Sequence, residues 1–297
     1  MQDPKGQRLD SNPTIMAVTF KAEHHAYLSN DGADINWISA TTLLGALKQP
    51  FDAKTQAEKS SRNSRSKWFK MDPVAIQQAW RNEADRAVTL GNWYHNQREV
   101  DICSLQSMER WGKVVPIHKP TYDPNGDKIA PDQKLTDGIY PEHMVYLKSA
   151  GLCGQSDLVE VVNGEVYITD YKTNKEIKTE GYKGWDGTKK MRFPVNHLDD
   201  CNLFHYNLQL SIYMFIIMKH NPKLKSGKIV IHHILFEEDG QDQFGYPIAK
   251  RHPNGDPVVK DIVPYELPYL RQEVISIIHW LADNKAKVLE EKKKKAA

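Results

Sequence analysis

Gly154-Gln-Ser-Asp157-Leu-Val-Glu-Val-Val-Asn163-Gly164-Glu-Val-Tyr-Ile-Thr-Asp170-Tyr171-Lys172 is two β-rich runs joined by Asn-Gly, the dipeptide best suited to the positive φ angles of a two-residue hairpin turn. Such a turn fixes the register. Val162 faces Glu165, Val161 faces Val166, and at the far end Asp157 faces Asp170. Directly opposed side chains have Cβ atoms ~4.5–5.5 Å apart, so two carboxylates placed this way repel unless a cation lies between them. Lys172 follows Asp170 on the same face by the strand period, and that face continues into Val159, Val161, Val166 and Ile168. Its apolar half belongs to a core, and its other end sets Asp, Asp and Lys at a boundary. A salt-bridged rung is the plain alternative for these three charges. A hard divalent ion, held by carboxylates and water, is the chemical one.

Outward from the hairpin, β-rich runs recur at Lys113–Ile117, Tyr140–Leu147, Gly154–Val162 and Glu165–Tyr171, with a turn at Asp123-Pro-Asn-Gly-Asp, and predict an antiparallel meander. Ahead of Trp111 the signals are helical. Ser and Thr caps open a helix near Trp37, Lys48–Lys70 reads as a basic connector carrying Trp68 and Phe69, and Pro73 begins a helical pattern running to Ile102. Thr173–Asp200 is polar, glycine-bearing and long, which predicts a mobile lid. Cys201–His220 is an apolar helix with a polar seam of His205, Gln209 and Tyr213; Lys228–Glu237 and Asp261–Leu267 are strands, and Tyr269–Glu291 is an amphipathic helix. The expected class is α/β.

Lys and Arg number 40 against 38 Asp and Glu, so no global cationic field exists and a nucleic-acid partner would have to meet a local basic surface. The three cysteines, Cys103, Cys153 and Cys201, form no CxxC pair, which argues against a disulfide framework, a cysteine zinc site and an iron–sulfur cluster. No signal-peptide core and no membrane-length apolar stretch is visible, and a cytoplasmic, intracellular location with no membrane partner is the expectation. His232 and His233 point to opposite faces of a strand, and Trp93 and Tyr94 read as core aromatics.

Gly154-x-x-Asp157, Asp170-Tyr171-Lys172-Thr173, Gln209-x-x-x-Tyr213 and, earlier, Gly91-x-x-x-His95-x-x-x-Glu99 together resemble the RecB-like branch of the PD-(D/E)XK nuclease superfamily, with the motifs in the family order. The resemblance implies a mixed central β-sheet flanked by helices, a restriction-endonuclease-like core, preceded by a helical portion. It implies that Asp157 and Asp170 are paired metal-binding acids, that Lys172 is the catalytic lysine, and that His95 and the Tyr171 backbone carbonyl add metal ligands. Glu142 resembles an acid that precedes the first core strand, with a secondary role near the metal. Gln209 would reach the lysine or a phosphate, supported by Tyr213.

The same resemblance implies a cluster-free enzyme that uses Mg²⁺ or Mn²⁺ as a DNA exonuclease in repair, recombination or phage DNA metabolism. Single-stranded or end-containing duplex DNA is the expected partner, RNA an alternative, and a recombination or replication protein a further one. A structure-specific DNA or RNA endonuclease and a noncatalytic nucleic-acid-binding subunit are the rival functions. The expected division is an arm over 1–35, a helical groove wall over 36–112, the nuclease core with its C-terminal helix over 113–291, and a basic tail over 292–297. Lys48–Lys70 and Lys172–Arg192, the latter with Tyr182 and Trp185, are the candidate phosphate-binding surfaces.

Overall fold

The computed structural model describes residues 18–296, apart from 22, 24, 25, 31, 32, 131, 185 and 186. Most of the expected arm up to residue 17, the His24-His25 pair and Trp185 lie outside the described residues. In chain order the elements are β1 (Val18–Lys21), β2 (Ala26–Ser29), β3 (Ile38–Ser39), α1 (Ala40–Leu47), α2 (Ala53–Arg62), α3 (Pro73–Ser104), β4 (Ser107–Arg110), β5 (Lys113–Pro116), β6 (Thr121–Tyr122), β7 (Lys128–Ile129), β8 (Gly138–Leu147), β9 (Leu152–Val162) and β10 (Glu165–Lys172). They continue with β11 (Lys183–Gly184), β12 (Gly187–Thr188), α4 (Asn202–His220), β13 (Lys225–Phe236), β14 (Glu238–Gln241), β15 (Pro247–Ala249), β16 (Val259–Leu267) and α5 (Arg271–Ala296).

Asn163 and Gly164 take φ of 54° and 77°, and the hairpin they close keeps the expected register from Val162/Glu165 to Leu158/Thr169. From this hairpin a mixed sheet grows in the order β16-β13-β10-β9-β3, with β8 on the other edge of β9. β8, β9 and β10 are the predicted meander; β13 then joins β10 in parallel and β16 joins β13 antiparallel. Lys113–Ile117 does not join it as a strand. Lys113–Pro116 forms a separate hairpin with Ser107–Arg110, which straddles the division expected at 112/113.

One face of the sheet, bearing Val159, Val161, Val166 and Ile168, is covered by α1, α4 and α5. α4 is buried nearly all round through Leu208, Leu210, Ile212, Met214, Ile216 and Ile217, which is why its apolar residues show no single stripe. The opposite face carries Leu158, Val162 and Tyr171 against Ile102 and Tyr94 of α3. The protein is thus a mixed α/β fold with helices on both faces of its main sheet.

Several expectations are corrected here. Val18–Lys21 and Ala26–Ser29 are not an arm: β1 and β2 form a small sheet with β7 and β6, packed through Val18 and Trp37 on Met144 and Cys153. The Lys48–Lys70 connector contains α2, capped by Asp52 and anchored by the buried Ala57, and Trp68 packs in a cluster with Ile76, Ala79 and Trp80 instead of offering a ring to bases. Thr173–Asp200 is tied down at its described residues. Ile177, Met191, Val195 and Leu198 enter the main core, and Asp199 receives the Gly181 N–H at 2.9 Å while pairing with Lys190 at 2.5 Å. The expected tail continues α5, where Lys294 pairs with Glu290.

Candidate metal centre

β9 is longer than any one neighbour along its β10 edge. It pairs with β10 over Leu158–Val162 and with β3 at Leu152–Cys153, so Gly154–Asp157 have no ladder partner on that edge among the described residues. The strands part there. The Asp157 carboxylate closes the opening by accepting the Tyr171 N–H at 2.8 Å, replacing the missing rung. Gly154 is needed beside it because the Tyr213 ring of α4 lies against its Cα, and a Cβ would stand 2.3 Å from Tyr213 Cε1.

The β8 register keeps Pro141 opposite Leu158 and His143 opposite Ser156, which sets Glu142 opposite Asp157. Glu142 and Asp157 therefore lie side by side, and Asp170, close enough to feel the charge of Asp157, continues this acidic row past the point where the β9–β10 ladder ends at Leu158/Thr169. Glu142 holds φ at 51°, a left-handed conformation that costs a non-glycine residue ~1–3 kcal/mol and that clusters at functional sites. From α3, His95 brings Nδ1 to 3.4 Å from Asp157 Oδ1 and 4.0 Å from Glu142 Oε1, while Nε2 lies 3.1 Å from the Tyr171 carbonyl oxygen. In the neutral imidazole, donation from Nε2–H to that carbonyl would leave Nδ1 as the free lone pair, the tautomer a metal ligand needs. Gly91, one turn earlier, lets α3 approach Thr173, whose hydroxyl donates to the Ala87 carbonyl at 3.2 Å.

His95, Glu142 and Asp157 offer ligand atoms all within 4.8 Å of one another, a donor set of one imidazole and two carboxylates. That set fits a hard or borderline divalent cation such as Mg²⁺ or Mn²⁺. The Tyr171 carbonyl holds His95 and lies 3.4 Å from Lys172 Nζ. One expectation changes. Asp170, 2% exposed, is ion-paired with Lys172 and stands outside the three-residue group, where Glu142 takes the place foreseen for it.

The electrostatics follow from this burial. Asp170 is pushed up to about 7, by burial first and then by the charge of Asp157, with Lys172 opposing. Asp157 is held below the usual carboxylate range because His95, Lys172 and the Tyr171 N–H outweigh its own burial. Burial favours neutral His95, yet its hydrogen bonds to Asp157 and Glu142 raise it to about 10. Lys172 remains an ammonium: burial is overcome by Asp170 and Asp157.

α4 supplies the support behind Lys172. Lys172 Nζ sits 5.1 Å from the centroid of Tyr206, whose hydroxyl donates to Asn174 Oδ1 at 2.6 Å, and the Asn174 carbonyl meets His233 Nε2 at 2.5 Å. Gln209 donates to the Tyr213 hydroxyl at 3.0 Å. His205 leaves the expected seam and pairs with Asp200 at 2.7 Å. Sequence reading missed Tyr206, although Asn202, Tyr206, Gln209 and Tyr213 follow the 3.6-residue period better than the i, i+4, i+8 series chosen. It also missed Gln155, which donates to Glu142, and Lys128, 3.7 Å from Glu142 Oε2. His232 and His233 are structural as expected, and Trp93 donates to Asp256.

Basic residues flank the centre unevenly. A recess of about 570 Å³ at the start of α4 is lined by Lys48, Lys178, Lys183, Lys189 and Asn202. Within it Lys183 pairs with Glu180 and Lys189 with Asp200, so part of its charge is already answered. Tyr182, on the same wall, is 76% exposed.

Comparison with known proteins finds no matching family model and no matching curated protein. Among solved structures the chain is similar to a crystal structure of SSO0001, at 13% identity and a TM-score of 0.32, over 90% of this chain and 81% of that one. A likeness of that strength carries no argument. Among the described residues no helix is long and apolar enough to cross a membrane.

Proposed function

We propose that this chain is a divalent-metal-dependent nuclease with a restriction-endonuclease-like core of the PD-(D/E)XK type, hydrolysing phosphodiester bonds from DNA ends. The observation that carries the reading is the gathering of His95, Glu142 and Asp157 beside an ion-paired Asp170 and Lys172, where the main sheet parts. Like-charged buried groups with a strained member and a row register are costly for folding and useful for holding a cation.

His95 Nδ1, Glu142 and Asp157 would hold Mg²⁺ or Mn²⁺, which when bound acidifies water and withdraws charge from a phosphate. Lys172, kept cationic by Asp170 and Asp157, presents a fixed positive charge to the non-bridging oxygens of the scissile phosphate as charge builds on them. Asp170 holds the lysine in place. Tyr206 limits the swing of the Lys172 stem, and Gln209 with Tyr213 stiffens the wall behind Gly154, so the charge is met in one geometry. The lysine-lined recess begins one helical turn from Tyr206 and gives a nucleic-acid backbone a path away from the centre.

The test is incubation of linear and circular single- and double-stranded DNA with Mn²⁺ or with EDTA. Metal-dependent loss of linear DNA with circles intact is expected. Cutting of circles would replace the exonuclease with an endonuclease, and no metal-dependent cutting of DNA or RNA would leave a binding subunit.

A further inference from the structure

The acidic row does not stop at Glu142. Lys128, from the two-residue strand β7, places Nζ 3.7 Å from Glu142 Oε2 and 3.6 Å from Glu99 Oε1. Neither carboxylate captures it; the ammonium stands midway between two acids, as a bound cation would. Its side chain is only 12% exposed, and Tyr122 of β6 fixes the arrangement by donating to the same Glu99 oxygen at 3.0 Å, with its ring centroid 5.8 Å from Nζ. The small sheet behind it is pinned by the pairing of Lys128 with Phe20 and Tyr122.

We infer that Lys128 occupies the place of a second divalent ion, so that the centre works with one metal ion per chain. This rests on the metal-dependent nuclease reading and specifies it. Phosphodiester-cleaving sites use either one ion or a pair ~3.5–4 Å apart, and in a half-buried site each ion needs negative charge to offset it. When all are ionised, Glu99, Glu142, Asp157 and Asp170 bring four negative charges, and Lys128 and Lys172 answer two of them from the two ends of the row. One divalent ion beside a neutral His95 balances the remainder. A second would leave two uncompensated positive charges in a half-buried pocket, a costly excess away from bulk water. Glu142 would then act on both cations, with Oε1 turned to the His95 side and Oε2 to Lys128.

The full chain is titrated with Mn²⁺ alone by calorimetry, without DNA, in the wild type, Lys128→Met, Lys128→Arg and Lys128→Met/Glu99→Gln, each checked for native circular dichroism. The expected stoichiometries are one, two, one and one: methionine keeps the stem but frees two carboxylates, arginine keeps the charge, and Glu99→Gln withdraws one freed ligand. Two ions in the wild type, or one in folded Lys128→Met, overturns the inference while leaving the metal-dependent reading intact. No binding by the wild type overturns both. If Lys128→Met does not fold, the wild-type and Lys128→Arg stoichiometries decide, two ions in either overturning it.

Discussion

Lys172→Met removes an ammonium and keeps most of the stem that packs under Tyr206. In the wild type Asp170, 2% exposed and pushed up to about 7, ionises above that pH against Lys172. An acid whose folded value exceeds its unfolded 3.8 weakens the folded state progressively as pH rises between the two, and no further above the folded value. Without Lys172 the folded value climbs beyond 7. Below pH 7 Asp170 therefore keeps its proton in both proteins and they melt nearly alike. Above it, the variant falls behind by about 1.4 kcal/mol per pH unit. At pH 9 the gap is roughly 3 kcal/mol, and it is capped by the ~3–5 kcal/mol of a buried carboxylate stripped of its partner. At roughly 2–4 °C per kcal/mol this is a lowering of Tm by about 6–12 °C. Thermal melts by near-ultraviolet circular dichroism in EDTA, at pH 6 and pH 9, measure it. Saturating Mg²⁺ returns a cation to the acids and narrows the gap without restoring cleavage. Equal Tm at pH 9, or an identical deficit at both pH values, would refute the pairing argument.

Because His95 is held protonated up to about 10, metal binding must expel that proton, and Mn²⁺ affinity should rise close to tenfold per pH unit below 10; calorimetry at pH 6.5 and 8.5 should show about a hundredfold difference, flattened in His95→Asn. Gly154→Ala forces a methyl group to 2.3 Å from a buried tyrosine ring, and overpacking of ~1–3 kcal/mol should lower Tm; an unchanged melt would mean the ring has room to move. Trp68→Ala should cost ~3–5 kcal/mol as a core truncation, whereas Phe69→Ala, at a ring 43% exposed, should leave Tm nearly unchanged; the reverse order in denaturant melts would return Trp68 to the surface.

What was legible in the sequence was what local chemistry decides. Asn163-Gly164 sets a turn that few other dipeptides accept, and from it the register down to Leu158/Thr169 and the apolar side of the hairpin follow. Ser39 caps α1 and Pro73 opens α3, both as their residue types require. What escaped was set by tertiary contact. The sequence marks Glu142 only through the resemblance and only as secondary, because it takes a backbone conformation its own sequence does not favour, and Lys128 sits on a strand of two residues, too short for any periodicity. α2 buries only Ala57 and carries no large apolar residue, so no core stripe marks it, and the four core anchors of Thr173–Asp200 are spaced like loop residues. Asp170 belongs to both worlds: its closeness to Asp157 was foreseeable, but its commitment to Lys172 depends on how deeply that end of the sheet is covered.

The reading as a whole stands on Asp157, Glu142 and His95 sharing one cation. A crystal of the full chain soaked in Mn²⁺ and recorded at the manganese absorption edge tests this most directly. The account predicts an anomalous peak bonded to His95 Nδ1 and to a carboxylate oxygen of each acid, with Lys172 still on Asp170. A chain saturated with Mn²⁺ whose only peaks lie elsewhere, with His95 still hydrogen-bonded to Asp157, would contradict it.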